Sequence, residues 1–253
     1  MRRVFLVALA SLGLVAALAC GGHKEPKKEP QVEAANKIGT AQSYVAAGRT
    51  AEALELLGQA AALQPKNASI PNYQGQVLFL AGRYAEAETA LRRALQIDPS
   101  LADAHNNLGA LYDRMGKKDA AEAEFKIALE QPGYPTPEKV HLNLGLLYSS
   151  QGRKDEAVTE LRRAVEISPK YYQAQFELAS LLDSMGKLDE AVRLYEVAAP
   201  DYRSRGDYQY RLGFAYFRLG DRVKAADHLR RAVDVAPGSE SAAKADEILK
   251  MMR

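Results

Sequence analysis

Leu108-Gly109-Ala110-Leu111-Tyr112-Asp113-Arg114-Met115-Gly116-Lys117-Lys118-Asp119-Ala120-Ala121-Glu122-Ala123-Glu124-Phe125-Lys126-Ile127-Ala128 carries the pattern that decides the fold. Gly116 is followed five residues later by Ala121 and seven further on by Ala128. The same triplet recurs with glycines at 48, 82, 116, 152, 186 and 220, at spacings of 34, 34, 36, 34 and 34 residues. A period of 34 is one helix-turn-helix unit, too small to bury its own apolar face, so each copy must stack on the next. An all-α solenoid of six units is therefore expected, with a surface suited to binding.

The small residues give the period its physical meaning. Counting from the first residue of each unit, position eight reads Ala41, Gly75, Gly109, Gly145, Ala179 and Gly213. Position twenty is Ala53, Ala87, Ala121, Ala157, Ala191 and Ala225, and position twenty-seven is Ala60, Ala94, Ala128, Ala164, Ala198 and Ala232. The two alanines are seven residues apart and share one stripe of the second helix. Helices approach closely only where neither carries bulk. Larger fillers surround these contacts: Tyr44, Leu78, Tyr112, Tyr148, Leu182 and Tyr216 on the first helices, and Leu57, Leu91, Phe125, Leu161, Tyr195 and Leu229 on the second. The position-fifteen glycines read as caps at the tight turn between the two helices.

This pattern resembles the tetratricopeptide repeat, with Leu-Gly and Tyr in the first helix, Ala and Phe in the second, and a closing Pro. Leu108, Gly109, Tyr112, Ala121, Phe125 and Ala128 carry it most fully, and Leu144, Gly145 and Tyr148 repeat it. The resemblance implies a right-handed α-solenoid with units at 34–67, 68–101, 102–137, 138–171, 172–205 and 206–238. An amphipathic segment at 239–252 is expected to cap it, with Ser239 as the helix N-cap. Closing prolines stand at Pro65, Pro99, Pro169 and Pro237, where each stops one helix before the next unit begins. Two units depart from the rule: the third ends in a longer loop, Gln131 to Pro137, and the fifth has Pro200 three residues early.

The first residues pose a different problem. Arg2 and Arg3 precede an uncharged run from Val4 to Ala19 that stops at Cys20. The run is short for a bilayer span, which needs roughly 20 apolar residues, and residues 1–19 read as a secretory signal peptide. Cys20 is the only cysteine, so it has no partner for an intramolecular disulfide. Leu18-Ala19-Cys20 resembles a bacterial lipobox, which implies that Cys20 becomes the lipid-bearing N-terminus. Residues 20–33 are then expected to form a polar, flexible tether that holds the solenoid within roughly 40 Å of the bilayer. Gly21 is not the aspartate that resembles an inner-membrane retention signal, so the outer membrane, at its periplasmic face, is the expected location.

Charge and residue inventory exclude several function classes. The chain has 34 basic and 32 acidic residues; without Arg2 and Arg3 the basic count becomes 32 and the remainder is formally neutral. Nucleic-acid binding usually needs a basic domain or stripe, and anionic membranes need a polybasic cluster. Arg92-Arg93, Arg162-Arg163 and Arg230-Arg231 fall among glutamates on second helices and read as a solvated face. His23, His105, His141 and His228 form no His-Glu-x-x-His pattern, and no phosphate loop or calcium loop occurs. No catalytic residue, metal site or cofactor is expected, and the chain reads as a non-enzyme.

In such a stack the first helices line the concave face, with positions two, five, nine and twelve pointing into it. These positions offer Ile38, Val45, Asn72, Gln76 and Phe79, with Leu80 beside it. A polar third unit follows with Asp103, Asn106 and Asp113; then come Leu142 and Leu146, Phe176, and finally Tyr210, Phe214 and Phe217. Grooves that clamp a terminal carboxylate use lysine, arginine and asparagine where this chain has Ile38, Gln42, Tyr73, Asp103 and Asn107. An asparagine ladder of the kind that reads peptide backbones is suggested by Asn107 and Asn143 but is broken by Gly39, Tyr73, Glu177 and Arg211. A mixed apolar groove suits an amphipathic helix or short apolar strand of a protein partner.

A lipobox cysteine, a short polar tether and six such units together resemble the pilotin lipoproteins of type IV pili. That resemblance implies a non-catalytic factor that binds secretin subunits and brings them to the outer membrane, where they multimerise. A scaffold for another envelope machine, in β-barrel assembly or peptidoglycan remodelling, is the competing expectation.

Overall fold

A computed structural model of the chain describes residues 29–252; the expected signal peptide, Cys20 and most of the tether lie outside these residues. Twelve helices form six pairs: α1 (Pro30–Ala46) with α2 (Thr50–Leu63), α3 (Ser69–Leu80) with α4 (Tyr84–Ile97), and α5 (Ala102–Arg114) with α6 (Lys118–Glu130). The remaining pairs are α7 (Pro137–Ser150) with α8 (Lys154–Ile167), α9 (Tyr172–Ser184) with α10 (Leu188–Tyr202), and α11 (Gly206–Leu219) with α12 (Arg222–Val235). A thirteenth helix, α13 (Glu240–Met251), packs on α11 and α12. Ser239 caps it, its hydroxyl accepting from the Ala242 N–H at 3.2 Å.

Each pair turns the same way because each turn is built the same way. The glycines at 48, 82, 116, 152, 186 and 220 all have φ between 73° and 84°, a left-handed conformation that costs side-chain-bearing residues energy. The residue after each glycine then donates its N–H to the carbonyl of the position-eleven filler. Arg49 to Tyr44 is 2.8 Å, Lys117 to Tyr112 is 2.8 Å and Arg153 to Tyr148 is 2.9 Å. This is the six-to-one bond of a Schellman motif.

All twelve repeat alanines of the second helices, from Ala53 to Ala232, are 0% exposed. Opposite them the position-eight glycines sit under the large fillers. A Cβ on Gly75 would stand 2.5 Å from Leu91 Cγ, one on Gly109 2.7 Å from the Phe125 ring, and one on Gly145 2.6 Å from Leu161 Cγ. The glycine is therefore the slot that the second-helix side chain fills. The core is a spine running through the stack, with most of its length in one continuous cluster and a smaller cluster under the first two units.

Neighbouring units are also joined by a polar lock. Tyr112 donates its hydroxyl to Glu88 Oε1 at 3.0 Å, and Lys117, whose ammonium lies 5.1 Å from the Tyr112 ring, reaches Glu88 Oε2 at 3.6 Å. One period on, Tyr148 donates to Glu122 Oε1 at 3.1 Å, and Arg153, stacked 4.0 Å over that ring, donates to Glu122 Oε2 at 2.7 Å. Lys126 completes the set at 2.7 Å. These donors, Lys126 first and then Arg153, hold the Glu122 carboxyl at about 2, against an ordinary 4.5. A carboxylate whose folded value is depressed adds stability above the unfolded value and loses it on protonation. Stability should therefore fall as pH drops from about 4.5 toward about 2, and Glu122→Gln should flatten that part of the curve in urea titrations.

Two boundaries differ from the expectation. The first helix starts at Pro30, inside the stretch expected to be tether, because proline suits the first turn of a helix, where no N–H is needed. Pro200 does not stop α10, which continues to Tyr202. The Arg203 N–H still reaches Ala199 O at 2.9 Å, and the Tyr202 ring stacks on Phe176 with centroids 4.6 Å apart. The longer third-unit loop folds back, with the Tyr134 hydroxyl donating to Asp103 Oδ1 at 3.0 Å.

Candidate binding groove

First helices line the inner side of the stack: α3 packs on α5, α5 on α7 and α7 on α9, in addition to their own second helices. The residues expected to face the groove divide by depth. Ile38 and Val45 are half-buried against the N-terminal core, with Gln76 and Phe79 half-buried and Leu80 74% exposed. Leu146, Tyr210, Phe214 and Phe217 are half-buried, each leaning on the main core while keeping part of its surface free.

Asn72, Asn106, Leu142 and Phe176 do not line an open groove; all four are buried. The asparagines are covered by the next unit: Asn107 Nδ2 donates to Asn72 Oδ1 at 2.8 Å, and Asn143 Nδ2 to Asn106 Oδ1 at 2.9 Å. The two apparent rungs of an asparagine ladder thus join unit to unit instead of facing a ligand. Phe176 is enclosed by Tyr195, Tyr202 and Tyr208, the Tyr195 and Tyr208 rings meeting edge to face at 6.3 Å. The Tyr208 hydroxyl donates to Tyr195 O at 2.9 Å, and burial pushes its own pKa up to about 12.

The histidines are structural bridges. His105 spans Glu124 at 2.6 Å and Pro99 O at 3.0 Å, and His141 meets Glu160 at 2.6 Å. In the fifth and sixth units glutamines hold the same position: Gln175 donates to Pro169 O at 2.7 Å and Gln209 to Arg203 O at 2.6 Å. His228 donates from Nδ1 to Gln209 Oε1 at 2.8 Å and stacks on Tyr216, and burial lowers its pKa. Among the described residues no group of three or more His, Cys, Asp or Glu could hold a metal ion, and no helix is long and apolar enough to cross a membrane.

One of the open spaces lies at the C-terminal end. A cavity of about 650 Å³ lies between α9, α11 and the start of α13. Its floor is aromatic: the rings of Tyr210 and Phe214 lie nearly parallel at 5.9 Å, and Phe217 continues the row 6.4 Å from Phe214. Charged residues that the apolar pattern passes over rim it. Arg218 forms an ion pair with Asp183 and also donates to Asp183 O at 3.2 Å. Burial raises the Asp183 pKa, opposed by Arg218 and Arg211, and it raises that of neighbouring Glu177, opposed by Arg211 and Arg205. Asp183 occupies position twelve, the register that also selects Phe79 and Phe217. Reading that register for charge as well as for apolar residues finds it.

Models of the tetratricopeptide repeat match residues 37–59, 106–172, 148–210 and 206–239, and a TPR repeat model matches 75–116. No curated protein matches the chain in sequence. Among solved structures, PilW, described as a widely conserved type IV pilus biogenesis factor, superposes with TM-score 0.73 at 24% identity, over 85% of this chain and 98% of its own. PilF of Pseudomonas aeruginosa superposes with TM-score 0.77 at 20% identity, over 88% and 100%. YrrB, described as a TPR protein with an unusual peptide-binding site, gives 0.59 at 24% identity, over 76% and 97%. These likenesses are of fold.

Proposed function

We propose that this chain, which belongs to the tetratricopeptide-repeat proteins, is a non-catalytic assembly factor of type IV pilus biogenesis, lipid-anchored through Cys20 to the periplasmic face of the outer membrane. Its groove binds secretin subunits and promotes their localisation and multimerisation there. One observation carries the reading: the solenoid matches PilW and PilF over 98% and 100% of their lengths, and in this sequence it is preceded by Leu18-Ala19-Cys20. The partly free apolar side chains of Phe79, Leu80, Leu146, Tyr210, Phe214 and Phe217 support a protein ligand. The mechanism is physical: the lipid supplies the address, and the groove shields an apolar or amphipathic secretin segment until it inserts.

Deleting the gene should abolish heat-resistant secretin multimers, and Cys20→Gly should leave the protein unlipidated and the multimers mislocalised. Normal multimers in the deletion strain would exclude the pilus role and favour service to another envelope machine.

A further inference from the structure

The two halves of the groove use the same register differently. In the second to fourth units the facing amides bond to one another, Asn72 with Asn107 and Asn106 with Asn143. In the fifth and sixth units the equivalent pair is Phe176 and Arg211, with the guanidinium 5.9 Å from the ring centroid. Packing changes at the same place. Whereas the backbones of α3, α5, α7 and α9 approach one another successively, α9 and α11 meet mainly through side chains, Arg218 with Asp183 and Tyr208 with Phe176. The Phe176–Tyr202–Tyr208 cluster fills the base between them, and the cavity of about 650 Å³ occupies the space above.

The charges around that cavity almost cancel. Asp183 pairs with Arg218, Asp207 with Arg205 at 2.7 Å, and Glu240 with Lys244 at 2.6 Å. Arg211 is exposed and, among the described residues, is the lining cation with no carboxylate within ion-pair distance. It stands beside the ring row of Tyr210, Phe214 and Phe217, which repeats at helical spacing along α11. A ridge of rings beside a gap between two helices fits a third helix laid into it. The exposed Arg211 guanidinium makes no close ion pair among the described residues, although Glu177 and Asp183 lie within reach of its charge, and so leaves room for an anion on that helix.

We infer that the C-terminal end of the groove takes an amphipathic helix of a partner protein, its apolar residues one turn apart against Tyr210, Phe214 and Phe217 and a carboxylate meeting Arg211. The inference rests on the binding role proposed above and adds to it the end of the groove and the chemistry of the ligand.

The test uses the full chain in detergent and two labelled synthetic helical peptides with an identical leucine and phenylalanine stripe. One carries glutamate beside the stripe and the other lysine. Fluorescence anisotropy should show the glutamate peptide binding about fivefold more tightly. Arg211→Glu, with its fold checked by circular dichroism because the new acid would face Glu177 and Asp183, should reverse the preference, and Phe214→Ala should weaken both peptides by about tenfold or more. Binding of neither peptide, equal binding of both, or an unchanged preference in Arg211→Glu would overturn the inference. So would self-association of the wild type that Phe214→Ala removes, which would assign the site to a second copy. If the peptides fail to discriminate while the deletion strain lacks secretin multimers, the placement fails and the assembly role stands; normal multimers remove the role itself.

Discussion

Gly109→Leu is expected to destabilise the solenoid by roughly 3 kcal/mol or more, the upper range for overpacking a filled core. A Cβ at this position would stand 2.7 Å from both Cδ1 and Cε1 of Phe125, whose ring is 1% exposed and has nowhere to move. The cost arises at the contact between α5 and α6, so it should appear first in the third unit and its neighbours. In a stack where each unit touches only the adjacent ones, amide hydrogen exchange would show that local loss. Gly109→Leu combined with Phe125→Ala should recover part of the loss, because the two sites share one space and their effects do not add. Gly39→Ala supplies the contrast. Nothing lies within 4 Å of a Cβ built there, and the residue is inside α1. It should stabilise by roughly 0.5 to 1 kcal/mol through helix propensity. Equal stability of Gly109→Leu and wild type in urea unfolding would remove the steric account of the repeat.

The periodic core was readable from sequence because one physical demand, close approach of two helices, recurs at every unit and admits only glycine or alanine. The helix start at Pro30 and the continuation of α10 through Pro200 were less readable, since proline both starts helices and stops them. At Pro200 the outcome is decided by tertiary contacts, Tyr202 stacking on Phe176. The register selected the first-helix face but not the depth at which a side chain sits. Asn72 is buried because Asn107, one unit on, covers and bonds it. The Asp183–Arg218 pair spans 35 residues, a position-twelve acid meeting a position-thirteen base of the next unit. Only a stacking offset makes that pair visible, and a search for apolar residues does not register it.

Partner capture through the concave face is the second large effect expected. Rings that are half-buried in the unliganded chain, with their bases fixed by the core, can cover a ligand at little cost in side-chain entropy. The second helices present a different surface, on which Arg162 with Glu190 and Arg231 with Asp227 form exposed ion pairs. Exposed pairs of this kind add little to binding or stability. Charged substitution at Phe214 should therefore abolish partner recovery while helix content stays unchanged. Exchange of the exposed Val197 on α10 should do nothing.

In-cell photocrosslinking from a benzoylphenylalanine placed at Phe217, and separately at Val197, compares the two faces directly. The concave account predicts a secretin adduct from position 217 and none from position 197. Adducts from position 197 alone would contradict it.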